Sequence, residues 1–231
     1  MQIIKDKLIV ALDVDTLTQA ERFVDILCPQ VKLFKVGSQL FTAHGPEAIK
    51  MIGAKGGRVF LDLKLYDIPN TVKNAVYTGV SQQPVFMMTV HTEGGIEMMR
   101  RASEGAAQRA AELKIERPFI VGVTVLTSAT NTAATLSEVV KRALTAKDAG
   151  LDGVVCSVHE ASEVRKHCGK DFIIVTPGIR PQGAEPLDQK RVATAQDAMQ
   201  AGANFIVVGR PILEANDPLA VAEELLSSCR A

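Results

Sequence analysis

The sequence lacks the features that mark several classes of protein. Its 231 residues include no Trp, only two Tyr and eight Phe, and 26 Lys and Arg residues balance 26 Asp and Glu residues. A chain with no excess of positive charge and few aromatic rings offers little to a phosphate backbone or to stacked bases. Nucleic acid is therefore not an expected partner.

Long apolar runs are also absent. The longest, residues 118–126, is far shorter than the roughly 18 residues that cross a bilayer, and the apolar residues before Asp13 are too few for a signal peptide. The four cysteines, at positions 28, 156, 168 and 229, form no CxxC pair, which favours reduced thiols over disulfides or a zinc site. We expect a cytoplasmic protein that binds neither a membrane nor a metal ion.

What the sequence does contain is a regular alternation of two patterns. Apolar, β-branched runs predict strands at residues 7–14, 31–36, 58–63, 85–90, 119–125, 153–156, 172–175 and 204–208. Helical spacing predicts helices at residues 18–27, 46–52, 71–78, 95–113, 137–148, 161–167, 194–201 and 218–228. Strands separated by helices run parallel. Eight such units predict an α/β fold, a (β/α)8 TIM barrel, as one domain spanning residues 1–231.

Charged residues at the carboxyl ends of the strands are the candidates for chemistry, because barrels of this kind hold their active sites there. Asp13 ends the first predicted strand, Lys35 lies near the end of the second, and Asp62 and Lys64 end the third. The two-residue period of a strand points Asp62 and Lys64 into the barrel mouth, where a charge is costly unless it is paired. A structural ion pair explains any one of these residues, but four charges on three consecutive strands favour a functional site.

The loop after the third predicted strand adds another carboxylate. Asp67 follows at the spacing Asp62-x-Lys64-x-x-Asp67, which flanks a lysine with two carboxylates and favours a general acid. Asn70 or Thr71 is expected to cap the helix that follows, and a capping role for Asp67 is the alternative.

Two loops have the composition of a phosphate site. Residues 176–183 read Thr-Pro-Gly-Ile-Arg-Pro-Gln-Gly, and residues 208–211 read Val-Gly-Arg-Pro. The loops after the seventh and eighth strands often bind phosphate in such barrels, with glycine permitting close approach and Arg180 and Arg210 supplying charge. Each loop alone is typical of a turn, but the two together favour a phosphorylated small molecule as ligand.

These motifs together resemble those of the bacterial orotidine 5′-phosphate decarboxylase family. The matching stretches follow in order along essentially the whole chain, and the most specific is Asp-x-Lys-x-x-Asp-Ile-Pro-Asn-Thr at residues 62–71. The resemblance implies a homodimeric, cofactor-free lyase that converts orotidine 5′-monophosphate to UMP and CO2 in pyrimidine biosynthesis.

The same resemblance implies roles for individual residues. Lys64 is implied as the proton donor, beside Asp62 and the Asp67 of a partner subunit, and Lys35 completes the charged array. The implied substrate-binding residues, with Ile68 and Thr71 again from the partner, are Asp13, Lys35, Asp62, Ile68, Thr71, Thr127, Arg180, Gln189, Gly209 and Arg210. Gln182 is a further candidate at the phosphate, and His91, at the end of the fourth predicted strand, can support the site through hydrogen bonds.

Two other functions are alternatives to this one. A related sugar-phosphate decarboxylase or aldolase uses Mg²⁺ and has an acidic residue at the position of Lys35, where a lysine would repel the cation. A nucleotide-binding protein without catalytic activity is the second alternative, although every implied catalytic position holds a chemically competent residue. The decarboxylase remains the favoured prediction.

Overall fold

A closed barrel of eight parallel strands forms the centre of the molecule. The computed structural model describes residues 6–126, 133–180 and 193–229. The strands, each paired with the next and the last with the first, are β1 Leu8–Ala11, β2 Leu33–Gly37, β3 Arg58–Leu65, β4 Val85–His91, β5 Phe119–Val123, β6 Gly153–Val155, β7 Ile173–Thr176 and β8 Phe205–Val208. All eight predicted strands are present, and the predicted (β/α)8 barrel is confirmed.

Helices surround this barrel. They are α1 Leu17–Leu27, α2 Ser38–His44, α3 Pro46–Ala54, α4 Pro69–Val80, α5 Gly95–Leu113, α6 Ala133–Asp148, α7 Val158–Cys168, α8 Ala195–Gln200, α9 Arg210–Leu213 and α10 Pro218–Ser228, with a 3-10 turn at Thr92–Gly94. The eight predicted helices are all found, while α2 and α9 are additional. Both are short helices directly after a strand, so neither offers enough turns for a periodic pattern. None of the helices in the described part of the chain has the length and apolar character needed to cross a bilayer.

The strands separate two apolar layers. Side chains on their outer face pack against the helices, and Leu61 is buried there beside the half-buried Leu63 and Leu65. Side chains on the inner face, such as Phe60 and Met87, fill the barrel. The prediction that the leucines of β3 face the helices is therefore confirmed, and Asp62 and Lys64 alternate onto the inner face above Phe60.

The pairing of β3 with β4 is irregular at the barrel mouth. Leu61 pairs with Met88, and the next paired residues are Leu65 and Val90, so the register shifts between these two positions. Within this interval Lys64 has φ 50°, in the left-handed region that a side chain rarely adopts. The irregularity thus falls on the residues that carry the predicted chemistry.

Candidate active site

Four charged side chains meet at the mouth of the barrel. Asp62 Oδ2 lies 2.8 Å from Lys64 Nζ and 3.7 Å from Lys35 Nζ. Lys35 Nζ also lies 2.8 Å from Asp13 Oδ1. The Lys35 and Asp62 side chains are each only 11% exposed, whereas those of Lys64 and Asp13 are 40% and 49% exposed. The Lys35–Asp62 pair at the centre of the array is therefore largely removed from water, and charges interact more strongly there than in water. The structure brings together four of the predicted residues, although β1 ends at Ala11 and Asp13 lies just beyond it, exposed.

A buried threonine on the neighbouring strand holds the array from behind. Thr89, on β4, donates a hydrogen bond from its hydroxyl to Asp62 Oδ1 at 3.0 Å. The same hydroxyl oxygen accepts a hydrogen bond from the backbone N–H of Lys64 at 2.8 Å. Sequence reasoning missed Thr89, whose only signal is its position on the inner face of β4, two residues before His91.

A cavity of about 160 Å³ opens beside the array. Its charged lining is Lys35, Asp62 and Lys64, and its apolar lining includes Phe60, Val123, Val155, Pro177 and Val207. These apolar residues were also missed by sequence reasoning, although Phe60 lies two residues before Asp62 and the strand period could have identified it. The cavity therefore places one charged wall against an apolar floor, an environment suited to a flat, partly apolar ring.

The loop after β3 is turned outward. Asp67, Ile68 and Thr71 are all exposed, and Asp67 Oδ1 accepts a hydrogen bond from the Ile68 N–H at 2.6 Å. Asp67 makes no ion pair with any residue in the described ranges. The expected caps at Asn70 and Thr71 are wrong: α4 begins at Pro69 with Ile68 as its N-cap, because proline, with no N–H to satisfy, suits the first helical position.

Tyr66 and His91 connect this loop to β4. Their rings stack with centroids 5.7 Å apart, and His91 Nδ1 accepts a hydrogen bond from the Glu93 N–H at 3.3 Å. Burial lowers the pKa of His91, with Arg142 and Lys64 lowering it further and Glu93 opposing them. A lowered pKa favours the neutral ring, which fits its role as an acceptor.

The predicted phosphate residues divide into three groups. Gly209 lies beside β1: a Cβ there would be 3.4 Å from Ala11 Cβ and 3.7 Å from Asp13 Oδ2. Arg210 follows it as the first residue of α9. Arg180 is buried and lines a separate cavity between α8 and α10. Three further candidates, Thr127, Gln182 and Gln189, lie outside the described residues.

The arrangement is suited to a particular kind of chemistry. Within the described ranges, no group of three or more His, Cys, Asp or Glu side chains is arranged to hold a metal ion. What the mouth presents is a fixed ammonium, Lys64, held against a carboxylate, a geometry that can stabilise a developing negative charge and deliver a proton. The fold and the site together are those of a (β/α)8-barrel enzyme that carries an array of charged side chains at the mouth of the barrel.

Comparison with known proteins identifies the family. The model of the Orotidine 5'-phosphate decarboxylase / HUMPS family matches residues 6–225. The chain is 46% identical over 230 residues to the orotidine 5'-phosphate decarboxylase of Moorella thermoacetica, covering 96% of this chain and 91% of that protein. It is 44% identical over 227 residues to the enzyme of the same name from Pseudoalteromonas atlantica, covering 95% of this chain and 96% of that protein. The chain belongs to this family.

A solved structure agrees with this assignment. The orotidine 5'-phosphate decarboxylase of Lactobacillus acidophilus superposes with a TM-score of 0.85 at 34% sequence identity, covering 98% of this chain and 100% of that chain. The predicted family, and with it the prediction of a decarboxylase, is confirmed.

Proposed function

We propose that the barrel mouth binds orotidine 5′-monophosphate and converts it to UMP and CO2, with Lys64 as the proton donor. The observation that carries this proposal is the array in which Asp62 Oδ2 lies 2.8 Å from Lys64 Nζ and 3.7 Å from Lys35 Nζ, above an apolar cavity that suits a pyrimidine ring. The reaction supplies UMP, so the enzyme acts in pyrimidine biosynthesis.

The chemistry explains why fixed charges are needed. When the bond between C6 and the carboxylate breaks, the electron pair stays on C6 in an sp2 orbital that no carbonyl is placed to accept. A charge held in advance near C6 stabilises that pair without reorganisation during the reaction. The Lys64 ammonium then transfers one proton to C6, and solvent restores the proton to the lysine.

The remaining residues of the mouth receive complementary roles. Asp62 lies beside the substrate carboxylate and disfavours the bound ground state, while Asp13 and Lys35 bind the ribose hydroxyls. Gly209, next to Asp13, allows the phosphate to approach the backbone, and Arg210 supplies the opposing charge. The binding energy of this remote group offsets the repulsion at the reacting end. Thr127, Arg180, Gln189 and Gln182 remain predicted ligands of the base and phosphate.

We further propose a homodimer in which Asp67 completes the site of the partner subunit. Tyr66 and Ile68, on either side of Asp67, are 60% and 67% exposed, and neighbouring exposed apolar side chains are typical of an interaction surface. A second copy that covered them would carry Asp67, Ile68 and Thr71 towards the neighbouring Lys64. This would explain why Asp67 belongs to the predicted array but is exposed and forms no ion pair with the array residues Lys35 and Lys64 of its own chain.

A continuous absorbance assay with orotidine 5′-monophosphate tests the activity. We expect loss of substrate absorbance with release of CO2, at the same rate with and without EDTA, because no step is assigned to a metal ion. Activity lost in EDTA and restored by Mg²⁺ would instead indicate the related sugar-phosphate chemistry. UMP binding without any turnover would indicate a binding protein.

The shared site is tested by mixing two inactive variants, Lys64→Ala and Asp67→Ala, under conditions that exchange subunits. If Asp67 acts across the interface, each mixed dimer contains one intact site, and random pairing restores on the order of a quarter of the wild-type activity. No recovery in mixed dimers whose formation is demonstrated would place Asp67 in the site of its own subunit.

The location and the domain organisation are proposals of the same kind. All four cysteines are buried thiols, which fits a reducing compartment, and we propose that the protein is cytoplasmic. The family match over residues 6–225 supports a single barrel domain over residues 1–231. Cell fractionation with an antibody to the chain tests the first point, and limited proteolysis tests the second.

A further inference from the structure

Thr89 lies inside the barrel, directly behind the charged array. Its side chain is fully buried, on the inner face of β4 above Met87 and paired in register with Val121 of β5. A hydroxyl in such a place must make hydrogen bonds, because burying an unpaired one is costly. Its two partners, Asp62 and Lys64, are both members of the array.

The first hydrogen bond stabilises an unusual backbone. Lys64 has φ 50°, and the β3–β4 register shift leaves residues between Leu61 and Leu65 outside the regular ladder. The Lys64 N–H lies within this interval and donates to Thr89 Oγ1 at 2.8 Å. The hydroxyl thus satisfies the backbone N–H of the residue whose ammonium is the proposed proton donor.

The second hydrogen bond orients a carboxylate. Thr89 Oγ1 has accepted the Lys64 N–H, so its own proton is directed to Asp62 Oδ1, 3.0 Å away. With Oδ1 held from behind, Oδ2 faces Lys64 Nζ at 2.8 Å and Lys35 Nζ at 3.7 Å. One hydroxyl thus fixes both the rotation of the carboxylate and the backbone that carries the ammonium.

We propose that Thr89 is a positioning residue that sets the geometry of the Asp62–Lys64 pair for the reaction. The inference rests on the proposed function, since it concerns the array assigned to decarboxylation. Thr89 does not itself line the cavity and contacts it only through Asp62 and Lys64, so we expect its effect on the reacting end and not on substrate affinity. Asp62 and Lys64 are proposed to contact the substrate, whereas Thr89 acts only by positioning these two side chains.

The test compares three variants of the full-length enzyme. Thr89→Val keeps the shape and removes the hydroxyl, and we expect kcat to fall about tenfold to a hundredfold, because misplacing reacting groups by about 1 Å costs up to that much. KM is expected to stay within about threefold of wild type, since binding away from the reacting atoms is retained. Thr89→Ser keeps the hydroxyl and is expected to retain kcat within about threefold.

Thr92→Val is the matched control. Thr92 is also buried, and its hydroxyl donates to the Val123 carbonyl at 2.8 Å, so its loss removes a buried hydrogen bond without touching the array. We expect its kcat to equal that of wild type. If Thr89→Val does not fold, Thr89→Ala is measured in its place. A kcat for the Thr89 variant equal to that of wild type, or a loss equal to that of Thr92→Val, would overturn the proposal.

A crystal structure of Thr89→Val separates this inference from the proposed function. We expect Lys64 Nζ or Asp62 Oδ2 to move by about 1 Å relative to wild type, whatever substrate the enzyme uses. Unchanged positions would overturn the positioning role even if the wild-type enzyme decarboxylates orotidine 5′-monophosphate. A wild-type enzyme inactive on that substrate would overturn the proposed function, while displaced side chains would still support the positioning role.

Discussion

Two levels of the barrel interior differ in composition although they belong to the same three strands. On β2, β3 and β4, we call the inward-facing Leu33, Phe60 and Met87 the lower level, and the next inward residue of each strand towards the mouth, Lys35, Asp62 and Thr89, the upper level. The lower level is apolar and buried, whereas the upper level holds two charged side chains and one hydroxyl, with Asp62 contacting both Lys35 and Thr89. A step of two residues along a strand therefore separates the part of the barrel that stabilises the fold from the part that we propose does chemistry.

Removing the Lys64 ammonium, which pairs with Asp62 of the upper level, should have the largest effect on turnover. For Lys64→Ala we expect turnover to fall roughly 10⁴-fold, at the upper end of what a general acid contributes, while UMP binding by calorimetry remains measurable. Lys55→Ala is the control, because Lys55 pairs with Asp25 and Glu21 at 2.6 and 3.1 Å on the outside of the barrel. Turnover of Lys64→Ala close to that of the Lys55 variant would refute the proton-donor role.

Adding one methyl group beside the upper level should have a smaller effect. A Cβ on Gly37 would lie 2.8 Å from Lys35 Nζ and 3.2 Å from Asp13 Oδ1, so Gly37→Ala displaces the end of a flexible side chain. We expect kcat/KM to fall about tenfold through misplacement of that charge, with the free energy of unfolding changed by less than about 1 kcal/mol.

A second glycine provides the control for that variant. A Cβ on Gly122 would lie 2.7 Å from Thr92 Cγ2, among packed side chains on the outer face of β5. Gly122→Ala is therefore expected to cost about 1–3 kcal/mol of stability by overpacking and to leave kcat/KM unchanged. If both variants lost kcat/KM, or both lost only stability, the expected difference between Gly37 and Gly122 would be contradicted.

Truncating the lower level should have the smallest effect on turnover. Leu33 is buried in the barrel two residues before Lys35, and Leu33→Ala is expected to lower the free energy of unfolding by about 2–5 kcal/mol through the cavity it leaves. Urea unfolding followed by far-ultraviolet circular dichroism measures this in a chain without Trp. We expect kcat within about threefold of wild type; a large kcat loss would mean that the two levels are not independent.

Much of the fold could be predicted because barrel strands have a strong local signal. Buried parallel strands require continuous β-branched runs, such as residues 119–125, and the helices between them require periodic apolar spacing. The helices at Gly95–Leu113 and Pro218–Ser228 occur with the predicted bounds. The short helices after Gly37 and Gly209 could not be predicted, because one turn or two contains no period to detect.

The site could be predicted only where charge made it conspicuous. Asp62 and Lys64 stood out because ionised side chains on an inward strand position need a partner. Thr89 did not stand out, since threonine is an ordinary strand former. The positive φ of Lys64 could not be predicted either, because the sequence signal for that conformation is glycine or asparagine, and this position holds lysine. Nothing local in the sequence predicts that Arg180 lines the cavity between α8 and α10, because that depends on how the chain closes; its role at the phosphate stays a prediction.

The left-handed backbone of Lys64 has a consequence for how such a sequence is maintained. Glycine or asparagine would adopt this conformation at lower cost than lysine, so selection for stability alone would remove the side chain on which the proposed reaction depends. The lysine persists at this position only if activity outweighs that preference. Residue 64 is thus a point where the fitness of the enzyme and the ease of folding its chain are in opposition.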